Sequence, residues 1–223
     1  NLFSNSVRAS SFKKFLNWSK ENLWIKSKDN TIQDKCRIFY LDKTFDRINN
    51  YLNDNQDTET IINGETIPSI YELINQLDHK WLTDGIAVQF HGDFILDNII
   101  QTKNGFSLID WRQDFGGDTL TGDIYYDLAK LNHNLTVNHD IVDKELFNKD
   151  KDNCYILTNS ILNECKKIFK KFCHDNNYDF KKIETLSSLI WINMSPLHEY
   201  PFNDFLFNFG KYNLYKILKN EYN

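Results

Sequence analysis

A tight hairpin near the middle of the chain is the feature that most constrains its fold. Two short apolar segments, residues 99–101 and 106–109, flank Thr-Lys-Asn-Gly at 102–105, and an Asn-Gly pair between such segments predicts a β-hairpin with a short turn. The two ends of a hairpin lie side by side. We therefore expect Asn98, which precedes the first strand, and Asp110, which follows the second, to be neighbours in space.

A third polar residue, Asp93, lies on the loop that enters the hairpin, after a predicted strand at 88–90. Carboxylate and amide oxygens are ligands suited to a hard divalent cation, with phosphate oxygens and water completing its shell. Asn98 and Asp110 are therefore candidate ligands of Mg²⁺, and Asp93 is placed to orient a hydroxyl or to accept its proton. The alternative is that all three are turn and cap residues, positions that Asp and Asn favour.

Three ordered motifs lie in this part of the sequence. They are His91-Gly92-Asp93 with Asn98, then Leu108-Ile109-Asp110-Trp111, then Gly122-Asp123-Ile124-Tyr125-Tyr126-Asp127-Leu128-Ala129. In this order the motifs resemble those of the aminoglycoside phosphotransferase and choline kinase superfamily, small-molecule relatives of the protein kinases. The resemblance covers residues 86–131 well and the flanking helices more loosely.

The resemblance implies an ATP- and Mg²⁺-dependent phosphotransferase. Its acceptor is expected to be a hydroxyl of a small metabolite such as a sugar, an aminoglycoside, choline or ethanolamine. Asp93 is then the catalytic residue, and Asn98 and Asp110 hold the metal. His91 and Asp123 are expected to support the catalytic loop, His91 by packing and hydrogen bonding and Asp123 through backbone hydrogen bonds. Asp123 is also placed to cap the helix that follows it.

The acceptor side is predicted to involve Trp111, Arg112 and Asp114, which follow the second metal ligand. Asp114 is a candidate for binding an amine or a sugar hydroxyl. Charged residues of the stretch 39–48 can lie beside the cleft, but a solvated helix face is the simpler reading. An aromatic wall for a choline-like cation is a further alternative to ordinary core packing. Its candidate members are Trp111, Tyr125, Trp191 and Tyr200.

The sequence contains neither Gly-x-Gly-x-x-Gly nor Gly-x-x-x-x-Gly-Lys-Ser/Thr. Kinases carry a glycine-rich hairpin and a strand-borne lysine in an N-terminal lobe, whereas the residues before position 86 have a helical pattern. We therefore expect a mainly α fold with a small β-hairpin, equivalent to a protein-kinase-like C-terminal lobe (α+β). The N-terminal nucleotide-binding lobe is expected to be absent or to lie elsewhere in a longer protein, so the isolated chain should be poorly active.

One domain over residues 1–223 is expected, made of a helical segment (1–85), a catalytic core (86–131) and a helical subdomain (132–223). Two other functions stay open. The first is a catalytically silent kinase-like binding module. The second is one domain of a bifunctional nucleotidyltransferase–kinase. Mg²⁺-dependent nucleotide binding separates the silent module from the enzyme.

Apolar residues at helical spacing predict seven helices. Pro68 is expected in the first turn of the third helix, Gly85 is expected to end it in the left-handed conformation, and residues 112–123 are expected to form a flexible loop over the cleft. The predicted helices are 12–25, 35–53, 68–82, 123–135, 152–174, 180–194 and 201–219.

Composition excludes several classes. The net charge is −5 and no run of Lys and Arg is long enough to follow a phosphate backbone, which argues against nucleic-acid binding. No apolar run has membrane-spanning length. The four cysteines form no Cys-x-x-Cys pair, so we expect them reduced and mostly buried, and the protein cytoplasmic.

Overall fold

The computed structural model describes residues 2–57, 60–148 and 153–221. Over these residues the chain is mainly helical, and its strands pair only two at a time, which confirms the predicted mainly α class. The helices are α1 (Ala9–Asn22), α2 (Ile32–Arg37), α3 (Lys43–Leu52), α4 (Ile70–Asn75), α5 (His79–Thr83), α6 (Ile124–Asn134), α7 (His139–Asp143), α8 (Ser160–Asp175), α9 (Phe180–Met194) and α10 (Phe202–Leu218).

The three strand pairs are all antiparallel, and one of them is the predicted hairpin. In this hairpin Ile99 lies opposite Leu108 and Thr102 opposite Gly105, so the turn consists of two residues. The pairs are β1 (Thr60–Ile62) with β2 (Glu65–Ile67), β3 (Ala87–Val88) with β6 (Gly122–Asp123), and β4 (Ile99–Thr102) with β5 (Gly105–Leu108). The pairing of β3 with β6 was not predicted, because each contributes only two residues.

The predicted helix at 35–53 is a longer run with a π-helical turn, Ile38–Asp42, between α2 and α3. This turn buries Phe39 and Tyr40. A π turn inserts an extra residue into a helix and often marks a functional site. It sets the rotation of α3 relative to α2, and therefore the direction in which the first residues of α3 point.

The predicted helix at 68–82 was wrong, since two helices occupy this region. Ser69 and Glu72 form a capping box at the start of α4, and Asp78 accepts a bond from the Trp81 amide at 3.0 Å to start α5. Pro68 lies before α4. Gly85 is not left-handed; a Cβ on it would lie 2.7 Å from the sulfur of Cys36, so close packing explains this glycine.

The helix expected at 152–174 is α8, which begins at Ser160. Residue 152 lies outside the described residues. Asn159 caps α8 by accepting a hydrogen bond from the Leu162 amide at 2.8 Å, and this cap fixes the start. Leu157, which the predicted range included, is therefore outside the helix and is 61% exposed.

The core of the C-terminal half is built around α9, which packs between α6 and α10. Almost every residue of α9 from Lys182 to Ile192 is buried. Where α9 and α10 cross, Gly210 lets the two backbones approach closely. The four cysteines are buried, and none of them forms a disulfide in the part of the chain that the structure describes, which agrees with the prediction. Within the described ranges, no helix has both the length and the apolar character needed to cross a bilayer.

Replacing Gly210 with alanine tests the α9–α10 contact. A Cβ there would lie 2.7 Å from the Ser188 carbonyl oxygen and 2.7 Å from Ile192 Cγ1. Alanine gains about 1 kcal/mol of helix propensity, but overpacking of a close helix contact costs about 1–3 kcal/mol. We expect a net loss of about 1 kcal/mol in the free energy of unfolding, measured with urea. Asn208→Ala, on the same helix, is the control, and a more stable Gly210→Ala protein would contradict the close contact.

Candidate active site

The loop between β3 and β4 is fixed by the carboxylate of Asp127, which is fully buried on α6. This carboxylate accepts hydrogen bonds from the backbone amides of His91 at 2.8 Å and Gly92 at 2.7 Å, and from the Trp24 indole at 3.0 Å. Burial raises the pKa of Asp127, and the three donors oppose that rise. Two consecutive amides are thereby bound to one helix, which sets the path of the chain into Asp93.

His91 is the second anchor of this loop, and it is buried. Its Nδ1 accepts a bond from the Asp93 amide at 3.2 Å, so the other ring nitrogen, Nε2, carries the proton and donates to the Ile109 carbonyl at 2.7 Å. His91 therefore connects the loop to the end of β5, just before Asp110. The expected packing role of His91 agrees with these contacts.

Gly92 is required by the same geometry. It has φ +80°, and a Cβ on it would lie 2.4 Å from the Cβ of Arg112. A side chain at this position would therefore be strained and would also clash. This explains the glycine of the His-Gly-Asp motif.

Asp93 is held by two side chains. Asn98 Nδ2 donates to Asp93 Oδ2 at 2.9 Å and to the Asp93 carbonyl at 2.9 Å. Lys130 Nζ lies 2.7 Å from Asp93 Oδ1. Burial raises the pKa of Asp93, but the charge and hydrogen bond of Lys130 and the bond from Asn98 outweigh it, so the pKa lies below its usual value.

Asn98 presents its oxygen away from this pair. Both acceptors of its amide are oxygens of Asp93, which fixes the nitrogen towards Asp93 and leaves Oδ1 as the atom that can bind a cation. At the base of the hairpin the Ile109 amide donates to the Asn98 carbonyl at 3.0 Å. The backbone thus brings positions 98 and 109 together, next to Asp110.

Asp110 is exposed and has φ +55°, a left-handed conformation that aspartate tolerates better than most residues. It lines an open groove of about 470 Å³ together with Asp93. In the described residues, no group of three or more His, Cys, Asp or Glu side chains forms a metal site. The predicted ligand set of one amide and one carboxylate therefore stays a prediction.

The predicted substrate residues flank this groove. Trp111 lies against the His91 ring, with centroids 4.9 Å apart. Arg112 places its guanidinium 4.7 Å from the centre of the Phe39 ring. Asp114 accepts a bond from the Gly117 amide at 2.7 Å, so one of its oxygens is used within its own loop. Trp111, Arg112 and Asp114 all line the groove.

Of the two roles expected of Asp123, the structure shows the helix cap and not the backbone bonds to the loop that carries Asp93. Asp123 caps α6 by accepting from the Tyr125 amide at 3.2 Å, and it also accepts from the Ile86 amide at 2.8 Å and the Tyr40 hydroxyl at 2.7 Å. It therefore fixes the segment that enters β3. The backbone bonds to the catalytic loop come from Asp127, which is inside α6 and not at its cap.

The loop at 112–123 is anchored rather than free. Phe115 is fully buried, with its ring 4.6 Å from that of Phe39. Lys35 forms ion pairs with Asp29 and Asp118, and the bond from Lys35 lowers the pKa of Asp118 to about 2. This loop therefore forms a fixed wall of the site.

The aromatic wall suggested for a choline-like cation does not form. Tyr125 bonds to the Asp179 amide, and Trp191 packs on Phe209 in the core. Trp111 lies at the groove, and Tyr200 is 69% exposed. The four side chains have different neighbours because they come from separate helices and loops.

Lys130 is the residue at Asp93 that sequence reasoning missed. It lies three residues after Asp127 on α6, and residues three apart share a helix face. Helical spacing from Asp127 is the sequence signal for Lys130, but the structure was needed to show that this face of α6 points to the loop that carries Asp93. Lys43 and Arg47 belong to the stretch 39–48, for which a solvated face was preferred to a place beside the cleft. They line a cavity together with Lys130.

The sequence comparison covers this part of the chain. Residues 38–147 match the phosphotransferase enzyme family. The match contains the catalytic loop, the hairpin and all of α6, and it confirms the resemblance to the aminoglycoside phosphotransferase and choline kinase superfamily. It supports a phosphotransferase in general. No curated protein and no solved structure matches the chain.

Asp127→Asn tests how the loop is held. The carboxylate accepts from three donors through two oxygens, whereas the amide has one oxygen, and its NH₂ group would face an N–H donor. Bonds to a charged acceptor contribute about 1.5–3 kcal/mol each, so we expect about 2–4 kcal/mol less stability in urea unfolding. Hydrogen exchange at the His91 and Gly92 amides should become faster. Asp143→Asn, on the surface of α7, is the control, and unchanged exchange at both amides would contradict the anchoring role.

Proposed function

We propose that this phosphotransferase is an ATP- and Mg²⁺-dependent kinase that phosphorylates a hydroxyl of a small molecule. One observation carries the proposal: Asp93 is held by Asn98 and Lys130 at a groove that it shares with Asp110. We assign the surrounding helices to a protein-kinase-like C-terminal lobe, with residues 86–131 as its catalytic core.

Asp93 is proposed to orient the acceptor hydroxyl. Its pKa is below the usual value, so the carboxylate is ionised at neutral pH and accepts a hydrogen bond from the hydroxyl. A carboxylate of low pKa is a weak base. We therefore infer that the proton moves to Asp93 late, when the new O–P bond is largely formed and the hydroxyl has become acidic.

Asn98 and Asp110 would hold Mg²⁺, and their oxygens suit that ion. The amide of Asn98 has only its oxygen left for a ligand, and the Asp110 carboxylate forms no ion pair among the described residues. Mg²⁺ held there would supply positive charge that offsets the charge of the donor phosphates. Lys130 keeps Asp93 in place and lowers the charge beside the reacting groups.

Kinases also hold the donor phosphates with a glycine-rich hairpin and a strand-borne lysine, and neither glycine-rich motif occurs in this sequence. We therefore propose that a nucleotide-binding lobe outside this sequence completes the site, and that these 223 residues alone transfer phosphate slowly. The cytoplasmic location stays a prediction.

Asp93→Asn in the full-length protein tests the catalytic assignment. The amide keeps the shape but cannot take the proton, and loss of such a group lowers turnover by about 10²- to 10⁴-fold. ADP release with a panel of hydroxyl acceptors measures it. Asp97→Asn, four residues along the same loop and paired with His139, is the matched control. Near-normal turnover in Asp93→Asn would remove Asp93 from the mechanism.

Calorimetric titration with ATP separates the enzyme from a silent binding module. The enzyme should bind ATP more tightly with Mg²⁺ than without it, and Asn98→Ala with Asp110→Asn should remove that difference because both proposed ligands are lost. The same titration of Asp114→Asn should keep it. ATP binding that ignores Mg²⁺, or no binding by the full-length protein, would favour the silent module.

A further inference from the structure

A second cavity, of about 170 Å³, is lined by Lys130, the residue that pairs with Asp93. The π turn and α3 form one side of it, and α6 and α9 form the others. Every charged side chain that lines it is basic: Lys43, Arg47, Arg112 and Lys130. We call these four residues the basic cluster.

Among the described residues, one member of the basic cluster forms an ion pair. Lys130 pairs with Asp93 at 2.7 Å. Within the described parts of the chain, Lys43, Arg47 and Arg112 form no ion pair with a carboxylate. The face of the Phe39 ring takes part of the place of a carboxylate partner. Lys43 Nζ lies 4.1 Å and the Arg112 guanidinium 4.7 Å from the centre of this ring.

The electrostatic cost of this arrangement is visible at Lys43. Burial lowers the pKa of Lys43, and the positive charges of Arg112, Arg47 and Lys130 lower it further. Its pKa is about 8. Asp114 acts in the opposite direction but does not balance the cluster. Like charges held together in a partly buried cavity repel one another and attract an anion.

The cavity is connected to the reacting group through shared residues. Lys130 lines the cavity while its Nζ bonds to Asp93, and Arg112 lines both the cavity and the groove of Asp93 and Asp110. A group bound by the cluster therefore lies within the length of a small metabolite from the Asp93 carboxylate. Thr44 and Asn193, joined by a 2.9 Å hydrogen bond, add uncharged polar groups to the wall.

We propose that the basic cluster binds an anionic group of the acceptor, a phosphate or a carboxylate, and so selects hydroxyl metabolites that carry negative charge. This inference rests on the proposed kinase function and narrows it. Arginine and lysine together suit such groups, because arginine binds two oxygens at once and lysine acts as a point charge. The same cluster disfavours aminoglycosides, choline and ethanolamine, whose positive charge it would repel.

Binding of inorganic phosphate to the full-length protein, without Mg²⁺ or nucleotide, tests the cluster directly. We expect saturable calorimetric binding that weakens at least about tenfold in Lys43→Gln and in Arg47→Gln, because each loses a charged hydrogen bond. Lys13→Gln, on the exposed face of α1, should bind as the unmodified protein does. Absence of phosphate binding, or equal affinity in all four proteins, would overturn the proposal.

Both variants remove one charge from a cluster of like charges, so neither should lower the melting temperature, which is measured in parallel. A nucleotide phosphate site is a distinct outcome. If ADP displaces phosphate from the cavity, and Arg47→Gln weakens ADP binding as much as phosphate binding, then the cluster binds the donor nucleotide and its assignment to the acceptor is wrong.

The acceptor class is tested by kcat/KM for glycerol 3-phosphate, glycerate, glycerol and ethanolamine. The anionic compounds should be preferred, and Arg47→Gln should lower kcat/KM about tenfold for them only. A preference for glycerol 3-phosphate over glycerate would identify phosphate as the bound group, and the reverse preference would identify carboxylate.

Phosphate binding that needs Lys43 and Arg47 but no transfer to any acceptor would keep the anion site and refute the kinase. Transfer to glycerol or ethanolamine that is unaffected in Arg47→Gln would keep the kinase and refute the anion site.

Discussion

The buried carboxylate of Asp127 is the interaction on which the rest of the site depends. A charge at this depth is tolerated only because three N–H groups surround it. Two of these donors are consecutive backbone amides of the catalytic loop, and the third is the Trp24 indole from the N-terminal helical segment. One side chain on α6 therefore joins the loop, α6 and the residues that follow α1, and His91 extends this frame to the hairpin.

The charges around Asp93 divide into two regions. On the groove side, Asp93 and Asp110 offer carboxylates and Asn98 offers an amide oxygen, a set suited to a hard cation. On the cavity side, the basic cluster lies unbalanced between α3, α6 and α9. Lys130 stands at the boundary and bonds to Asp93. The proposed cation site and the proposed anion pocket share Arg112, and together they would suit transfer of phosphate to a negatively charged acceptor.

Local sequence was a good guide wherever neighbouring residues decide the structure. The Asn-Gly signal predicted the hairpin, and Asp123 was recognised as the cap of α6. Local sequence predicted the wrong helix bounds at Asp78 and Asn159. At each position one side-chain bond starts a new helix, while the apolar spacing continues across the boundary and hides it. The loop at 112–123 was expected to be flexible, yet Lys35, 83 residues from Asp118, holds it.

The sequence by itself determined the order of the motifs, the hairpin and the mainly helical class, because these follow from spacing and turn chemistry within short segments. It also indicated Asp93, Asn98 and Asp110 as candidates. Only the tertiary structure decided that Asp127 rather than Asp123 holds the loop, that Lys130 pairs with Asp93, and that Lys43 and Arg47 face a cavity. These facts depend on how α3, α6 and α9 are rotated against one another, and packing across the whole chain sets that rotation.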